Sequence, residues 1–366
     1  MKARTNTKEI VLLISVILIA LALSVLFILF IRHREQLKKA QAATVTEVMS
    51  ENASANVNTE SVPVSNDREQ ETTYREIESV ADFADEKWSE GLVRHDGKIY
   101  RYKSGLQNYL FLGIDNDDPV APAADGISGG QSDAIFLLVT DRVQQQVSII
   151  AINRNTIVPV DVYDEAGNFV VQMDLQICLQ HGYGDGMKLS CIRSVEAVNR
   201  LFKGVPVSGY ISLNMGGLPA VNDAIGGVEL TPVESVRRGD IVITKGKPIT
   251  LSGEQAYAYL RTRDVDAFGS ANDRLQRQQQ YIVAAIGKLL ADPGKANKIY
   301  EAGGDYIVAS IDLPKLIDST KDMTFTEDHM YQLPGETEFK DDFERYNVDE
   351  EGMIRLILDV FYEEVQ

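Results

Sequence analysis

Residues 132–154 read SDAIFLLVTDRVQQQVSIIAINR. Two runs within this stretch, Ala134–Thr140 and Val147–Ile152, are short and rich in β-branched and other large apolar residues, which is typical of buried strands. A polar connection of hairpin length separates them. Upstream, Asn108–Ile114 (NYLFLGI) predicts a third strand of the same kind. We expect these three strands to form the centre of the fold.

Helical patterns follow the strands. The spacing of apolar residues predicts helices over Ile192–Phe202, over Leu218–Ile225, from 272 to about 290 and over Gly352–Glu364. Ser252-Gly-Glu-Gln255 is a capping-box pattern that opens one more helix. Further strands are predicted at Tyr210–Leu213 and Val228–Leu230. Strands interspersed with helices indicate an α/β fold in which helices cover a mixed β-sheet on both sides.

The first residues predict a membrane anchor. Ile10–Ile31 are 22 residues without a charge, and a helix of that length, at about 1.5 Å per residue, spans a hydrocarbon core of about 30 Å. The competing interpretation is a cleaved signal peptide, but that requires a shorter apolar run and a small-residue cleavage site. Basic residues flank both ends of the span, so their count does not decide its orientation.

A tether follows the predicted anchor. Residues 40–75 are rich in Ser, Thr, Asn, Ala and Glu and poor in large apolar residues, a composition that cannot offset its ordering entropy. We therefore divide the chain into a tail at 1–9, a transmembrane helix at 10–31, a juxtamembrane and disordered acidic tether at 32–91, and a folded body at 92–366.

Composition excludes several classes of function. The chain has 36 Lys and Arg against 54 Asp and Glu, a net charge of −18, which argues against sequence-independent binding to nucleic acid. Its four histidines lie far apart and form no H-E-x-x-H motif, so zinc hydrolysis is disfavoured. No G-x-x-x-x-G-K-[ST] motif is present, which disfavours a P-loop nucleotide site.

Two segments concentrate arginine in this acidic protein. Arg261 and Arg263 lie at the end of the capped helix. Arg274, Arg277 and Gln278 lie at i, i+3 and i+4 of the next helix, a spacing that allows them to share a face. Guanidinium groups that converge make a pyrophosphate clamp because each fork matches phosphate oxygens. The alternative is a solvated helix face with salt bridges.

Acidic and basic residues also follow or precede the central strands. Asp115 comes directly after the strand at 108–114, Asp133 comes directly before the strand at 134–140, and Arg154 follows the third strand. Carboxylates at one sheet edge suit a hard cation such as Mg²⁺ that also takes phosphate oxygens. Turn residues are the alternative, and we prefer that interpretation for Asp117 and Asp118.

The two cysteines, Cys178 and Cys191, form no C-x-x-C motif. They could close a small disulfide loop worth about 3 kcal/mol in an oxidising compartment. Two buried thiols are an equal alternative.

These motifs, in their order along the chain, resemble the LytR-CpsA-Psr family. The resemblance covers about Asn108 to Leu290, and the matching motifs are Leu112-Gly-Ile-Asp115, Ser132-Asp-Ala134, Asn153-Arg-Asn155, Gly226-Gly-Val228, Leu251-Ser-Gly-Glu-Gln-Ala256, Arg261-Thr-Arg263 and Asp273-Arg-x-x-Arg277-Gln278. It implies a membrane-anchored Mg²⁺-dependent phosphotransferase. Such an enzyme takes a glycopolymer, for example teichoic acid or capsule, from undecaprenyl pyrophosphate and joins it as a phosphodiester to a peptidoglycan sugar hydroxyl.

The resemblance also implies roles for individual residues. Asp115 and Asp133 would serve the magnesium pyrophosphate, and Asp133 is in addition a candidate base for the acceptor hydroxyl. The phosphate-binding residues would be Arg154, Arg261, Arg263, Arg274, Arg277 and Gln278. We expect an apolar cavity between sheet and helices to hold the prenyl chain, because its many CH₂ groups would otherwise face water at about 0.8 kcal/mol each.

The family further implies topology and partners. It places residues 92–366 outside the cytoplasm on a single-pass membrane protein, and that compartment favours a disulfide between Cys178 and Cys191. The chain departs from the family in two motifs: Asn155 stands where Pro-Arg-Asp has its acid, and Ala134 replaces the usual Thr. The missing carboxylate is the main reason for a second hypothesis, a non-catalytic binder of prenyl-linked precursors. A third hypothesis is a prenyl-pyrophosphate hydrolase, with water as the acceptor.

Overall fold

The computed structural model describes residues 74–83, 91–264, 266–340 and 342–365, all within the compact unit Thr72–Gln366. The predicted anchor at 10–31 and most of the predicted tether lie outside these residues. Within them, no helix is both long enough and apolar enough to traverse a lipid bilayer.

The strands of the described residues are numbered in chain order. They are β1 Tyr74–Glu76, β2 Leu92–His95, β3 Lys98–Tyr102, β4 Leu106–Ile114, β5 Ser132–Asp141, β6 Gln146–Ile152, β7 Ile157–Tyr163, β8 Phe169–Gln176, β9 Gly209–Asn214, β10 Val228–Leu230, β11 Val236–Arg238, β12 Ile241–Ile243, β13 Ile249–Leu251, β14 Ile307–Ala309, β15 Met330–Gln332, β16 Gly335–Lys340, β17 Phe343–Val348 and β18 Tyr362–Glu364.

The helices are numbered in the same way. They are α1 Leu179–Gly182, α2 Lys188–Leu201, α3 Leu218–Ala224, α4 Gly253–Arg261, α5 Ser270–Ala291, α6 Lys295–Gly303, α7 Leu313–Thr320 and α8 Glu350–Phe361.

A six-stranded mixed sheet forms the centre, with strand order β14-β9-β4-β5-β6-β15. The β4–β5 and β5–β6 pairs are antiparallel, whereas β4–β9 and β6–β15 are parallel. The three strands predicted from the sequence are therefore neighbours, and the hairpin between β5 and β6 is confirmed. The Asp141 carboxylate stabilises that hairpin by accepting from the backbone N–H groups of Val143 and Gln144, both at 2.9 Å.

Helices cover both faces of this sheet, as predicted. On one face, alternate β4 residues such as Leu110 and Leu112 pack with Val198 of α2 and Ile357 of α8. On the other face, residues such as Phe136 and Ile149 pack with Leu275 of α5 and Leu316 of α7. The alternation arises because successive strand side chains point to opposite faces.

The sequence predicts that the folded body begins at Leu92, but residues upstream of Leu92 also belong to it. β1 pairs with β2 from Tyr74 onward, and Ile77 and Phe83 are buried in the main core. This small sheet has the order β1-β2-β3-β18, so the last strand of the chain completes a sheet that the earliest described residues begin.

The disulfide implied by the family resemblance is not formed. Cys178 and Cys191 are both free and buried. The Cys178 sulfur lies 3.1 Å from Arg154 Nη2, and the Cys191 sulfur lies 3.4 Å from Ser212 Oγ. Each thiol therefore has a partner of its own within the core. The sequence left two alternatives open, a disulfide and two buried thiols, and the structure has the buried thiols.

Candidate active site

Asp133 is the centre of a buried ion cluster. Its Oδ2 accepts a hydrogen bond from Arg274 Nη1 at 2.6 Å, and its Oδ1 accepts one from Arg154 Nη1. The side chains of Asp133 and Arg154 are 10% exposed and that of Arg274 is 4% exposed. One carboxylate thus holds two guanidinium groups that the chain separates by more than a hundred residues.

The sheet register explains how the cluster forms. Asp133 lies at the start of β5, and Arg154 follows the end of β6. Because the two strands are antiparallel, with Ile135 opposite Ile152, these ends meet at one edge. Arg274 comes from the first turns of α5, which begins after Gly269 at φ 80°, a conformation that favours glycine.

A second ion cluster surrounds Arg261, at the last residue of α4. Arg261 Nη2 pairs with Asp115 Oδ1, and Arg261 Nη1 lies 3.3 Å from Asp117 Oδ1. Tyr257, one turn earlier, donates its hydroxyl to the same Asp117 oxygen at 2.7 Å. Asp117 therefore shares Arg261 with Asp115, a contact that its interpretation as a turn residue did not predict.

The two clusters lie side by side. Asp115 follows β4, and β4 pairs with β5 through Ile114 and Ser132, the residues next to the two aspartates. The backbone N–H of Asp115 donates to the carbonyl of Gln131 at 2.9 Å, and the Gln131 side chain accepts from Arg154. Gln131 therefore connects the clusters, and nothing in its sequence surroundings indicated this role.

The remaining predicted phosphate-binding residues divide into two groups. Arg263 is partly buried and has no carboxylate partner among the described residues. Gln278 is buried, with its Nε2 3.4 Å from the carbonyl oxygen of Asp133. Arg277, by contrast, lies 3.4 Å from Glu234 and donates to the carbonyl of Thr262, away from Asp133. The structure therefore does not bring Arg277 into the cluster.

Helix geometry explains why Arg277 is separate. At about 100° per residue, Gln278 lies only about 40° around the helix from Arg274, whereas Arg277 lies about 60° to the other side. Arg277 and Gln278 thus start about 100° apart around the helix, and in this structure Arg277 turns towards Glu234 while Gln278 turns towards the backbone of Asp133.

Burial determines the electrostatics of the cluster. It lowers the pKa of Arg274, and Arg154 nearby lowers it further, while Asp133 opposes both. Arginine stays protonated nevertheless, because its ordinary pKa is above 12. Burial also raises the pKa of the Cys178 thiol, against the effect of Arg154. The cluster therefore contains two permanent positive charges and a neutral thiol around one carboxylate.

An apolar cavity of about 230 Å³ adjoins the cluster. Its walls are the sheet face that carries Phe136 and Ile149 and the helix face that carries Ile282 and Leu289. Gln278 lines the cavity and also contacts the carbonyl of Asp133. The expected apolar cavity between sheet and helices is thus present, and its polar end meets the arginine cluster.

The structure brings fewer carboxylates together around a possible cation than the sequence indicated. Within the described ranges, no group of three or more His, Cys, Asp or Glu side chains is placed to hold a metal. Asp115 and Asp117 are 39% and 58% exposed, so they can reach a cation that takes its other ligands from phosphate and water. Both Asp133 oxygens already accept from arginine.

The fold and this geometry define a class of protein: an α/β domain with a buried cluster of arginine and aspartate beside an apolar cavity. A family model, the LytR_cpsA_psr family, matches residues 70–356, and the chain belongs to this family.

Two similar proteins carry the same name. The chain is 28% identical over 252 residues to the polyisoprenyl-teichoic acid–peptidoglycan teichoic acid transferase TagU of Enterococcus faecalis, which covers 68% of this chain and 76% of that protein. It is also 28% identical to the TagU of Oceanobacillus iheyensis, over 60% of this chain and 63% of that protein.

Solved structures share the fold. A Streptococcus agalactiae protein superposes with a TM-score of 0.57 at 19% identity, covering 70% of this chain and 86% of that one. TagV of B. subtilis superposes with a TM-score of 0.55 at 20% identity, covering 70% and 97%.

Proposed function

We propose that this protein is a membrane-anchored phosphotransferase that moves a glycopolymer from an undecaprenyl-pyrophosphate carrier to a sugar hydroxyl of peptidoglycan. The anchor would be the apolar segment at 10–31, which would hold the folded domain outside the cytoplasm. Family membership and the names of the TagU relatives support the reaction class. One structural observation supports it most directly, the arginine pair on Asp133 at the polar end of an apolar cavity.

This arrangement suits a ligand with a charged head and an apolar tail. The part of the prenyl chain nearest the head group would occupy the apolar cavity. Its pyrophosphate would lie among Arg154, Arg274 and Arg261, with Arg263 and Gln278 beside it. Phosphoryl transfer needs mainly positioning and neutralisation of charge, which fixed guanidinium groups in a buried site provide without reorganisation. Asp133 keeps Arg154 and Arg274 in place before the ligand arrives.

Asp133 would also accept the proton of the acceptor hydroxyl. Each carboxylate oxygen has two acceptor positions, and Arg154 and Arg274 use one on each oxygen. The acceptor oxygen would form a bond to the phosphorus that bears the glycopolymer, the bridging P–O bond would break, and prenyl phosphate would leave.

Mg²⁺ is the cofactor we propose for this site. Asp115, with Asp117 beside it, would hold the ion together with phosphate oxygens and water, which matches the preference of Mg²⁺ for one or two carboxylates. Asp133 fits this role less well because arginines engage both of its oxygens. When bound, Mg²⁺ would neutralise charge on the pyrophosphate.

Transfer assays with the full-length protein in detergent test the proposal. The mixture contains Mg²⁺, a prenyl-pyrophosphate glycan and peptidoglycan fragments, and the products are prenyl phosphate and polymer joined to peptidoglycan. Arg274→Ala and Asp133→Ala should each reduce transfer by about 100-fold or more, as expected when a charge-stabilising group is lost. Arg200→Ala, which removes an arginine paired with Asp161 at 3.0 Å elsewhere, is the matched control. Transfer that survives both site changes would exclude the proposal.

A non-catalytic binder is the second candidate. The observation in its favour is that Asp133 is bound by two arginines and that position 155 carries an amide instead of an acid. It predicts that the same assay shows tight prenyl-pyrophosphate binding without any product. Hydrolysis, the third hypothesis, would give prenyl phosphate and free polymer whether or not peptidoglycan is added.

A further inference from the structure

A second pocket, which we call the hairpin pocket, opens beside Arg154. Its volume is about 470 Å³, and four segments contribute side chains to it: Arg154 and Asn155 after β6, Gln176 of β8, Arg263 and Phe268 between α4 and α5, and Phe339 and Glu344 from the β16–β17 hairpin. The volume lies within the range of ordinary small-molecule sites. Arg154 belongs both to this pocket and to the Asp133 cluster, so a ligand here would lie next to the transferring phosphate.

Glu344 is hydrogen-bonded to the other segments that line the pocket. Its Oε2 accepts from the Asn155 side-chain amide at 3.0 Å, and its Oε1 accepts from the backbone N–H of Gly269 at 2.7 Å. Gln176 donates to the Glu344 carbonyl at 2.7 Å and to Asn155 Oδ1 at 3.1 Å. The polar side of the pocket is therefore fixed by hydrogen bonds that cross from one segment to another. A carboxylate from β17 thus lies beside position 155, where this chain has no acid of its own.

The rim of the pocket is aromatic and exposed. Phe268 is 65% exposed and Phe339 is 62% exposed, although both are large apolar residues. Two phenyl rings that face water beside a polar pocket leave apolar area to be covered, at about 25 cal/mol per Å². Scattered exposed residues need no explanation, but here two come from separate segments and line one pocket.

The charges of the lining disfavour an anion. Arg154 and Arg263 contribute two positive charges, while Asp266, Asp342 and Glu344 contribute three negative ones. A phosphate would meet this excess of carboxylates, whereas a neutral ligand with hydroxyl groups could donate to carboxylates and accept from arginines. An apolar chain would leave those charged groups without partners.

We propose that the hairpin pocket binds a sugar ring of the glycan that takes part in the transfer. The C–H face of a pyranose would pack on Phe268 or Phe339, and its hydroxyls would hydrogen-bond to Glu344 and Arg263. This inference rests on the proposed function, since it assigns the glycan next to the phosphate that Arg154 holds. The sugar comes either from the acceptor or from the donor polymer, and both present the same chemistry.

Binding measurements with the full-length protein separate these sources. The acceptor probe is a tetramer of N-acetylglucosamine, and the donor probes are a prenyl pyrophosphate with a disaccharide and the same lipid without sugar. Phe268→Ala, Phe339→Ala and Glu344→Gln should each weaken sugar binding by about fivefold, the scale of one aromatic or hydrogen-bond contact. Affinity for the sugar-free lipid should stay unchanged.

Matched controls lie elsewhere on the surface. Phe169→Ala removes another exposed phenylalanine, and Glu338→Gln alters another acid of the same hairpin that accepts from an asparagine amide at 2.9 Å. Neither side chain lines the pocket, so neither change should affect sugar binding. Melting curves of all variants show that they are folded, and both phenylalanines are exposed enough for their removal to spare the core.

The outcomes are distinct. Loss of tetramer affinity in the pocket variants identifies an acceptor site, and loss of only the donor's sugar-dependent affinity identifies a donor site. Unchanged affinity for both sugars, or an equal loss for the sugar-free lipid, would overturn the inference. Failure of the proposed function looks different, because the wild-type protein would then neither bind the sugar-free lipid nor transfer glycan, while the tetramer measurement remains valid.

Discussion

Asp133→Asn tests how much the buried ion cluster contributes to the stability of the fold. The change keeps the size of the side chain and removes its charge, so Arg154 and Arg274 lose their shared counter-ion. Both guanidinium groups stay charged because arginine does not deprotonate in proteins. The folded state must then hold two like charges side by side with only an amide oxygen between them.

The structure allows an estimate of the cost. Breaking a buried ion pair costs about 3–5 kcal/mol because it leaves an uncompensated charge. The lower end applies here, since an asparagine oxygen still accepts from one arginine and Arg154 also donates to Gln131. We expect the free energy of unfolding to fall by about 3 kcal/mol. If that free energy falls by about 3 kcal/mol per M urea, the midpoint of urea unfolding moves down by about 1 M.

Urea unfolding followed by circular dichroism measures this difference. Asp318→Asn is the control, because Asp318 pairs with Lys321 at 2.9 Å but is 70% exposed. A pair of that kind contributes about 0–1 kcal/mol. If Asp133→Asn shifts the midpoint no further than Asp318→Asn does, the two arginines do not depend on Asp133 and the account of the cluster is wrong.

Three further predictions concern other parts of the domain. Burial lowers the pKa of His181 below 6.5, so the unfolded chain binds more protons than the folded chain as the pH falls through that value. The free energy of unfolding should therefore fall between about pH 7 and pH 5, by up to about 1.4 kcal/mol per pH unit. His181→Gln should remove that part of the slope in urea unfolding, and an unchanged slope would contradict it. Ala285→Phe should fill the apolar cavity and weaken prenyl-pyrophosphate binding by about tenfold; inorganic pyrophosphate, which has no tail, should bind as before, and equal weakening of both would argue against the cavity. Burial raises the pKa of Cys191 to about 11. With no reductant present, Cys178 and Cys191 should therefore react with a thiol reagent in the denatured protein but not in the folded protein. If the denatured protein also has no reactive thiol, the two cysteines form a disulfide.

Patterns within single elements were sufficient to predict much of the fold. The central strands at 108–114, 134–140 and 147–152 all lie within β4, β5 and β6, because a buried strand needs an unbroken apolar run. The capping box at Ser252 is present, with Gln255 reaching back to the backbone of Ser252 at 3.0 Å. The final helix ends at Phe361 instead of Glu364, since Tyr362 pairs with Tyr102 of β3.

Contacts between distant segments were not predictable in the same way. The β16–β17 strands read GETEFK and FERYNV, in which apolar residues do not alternate with polar ones, so these residues showed no strand period. Arg277 matched the family motif, yet the rotation of α5 turns it towards Glu234. The pairing of Glu344 with Asn155 links residues 189 positions apart, which no local pattern encodes. The members of the arginine cluster lie at the boundaries of predictable elements: Asp133 and Arg154 at strand ends, and Arg274 in the first turns of a helix.

The placement of β18 ties two distant parts of the chain into one small sheet. β3 has β2 on one side and pairs with Tyr362–Glu364 on the other. Without that pairing, the hydrogen-bonding groups along one side of β3 would be open to water or to other chains. Contacts of such long sequence separation form slowly. Deletion of Tyr362–Glu364 would therefore expose a strand edge at Lys98–Tyr102, far from the deleted residues in sequence.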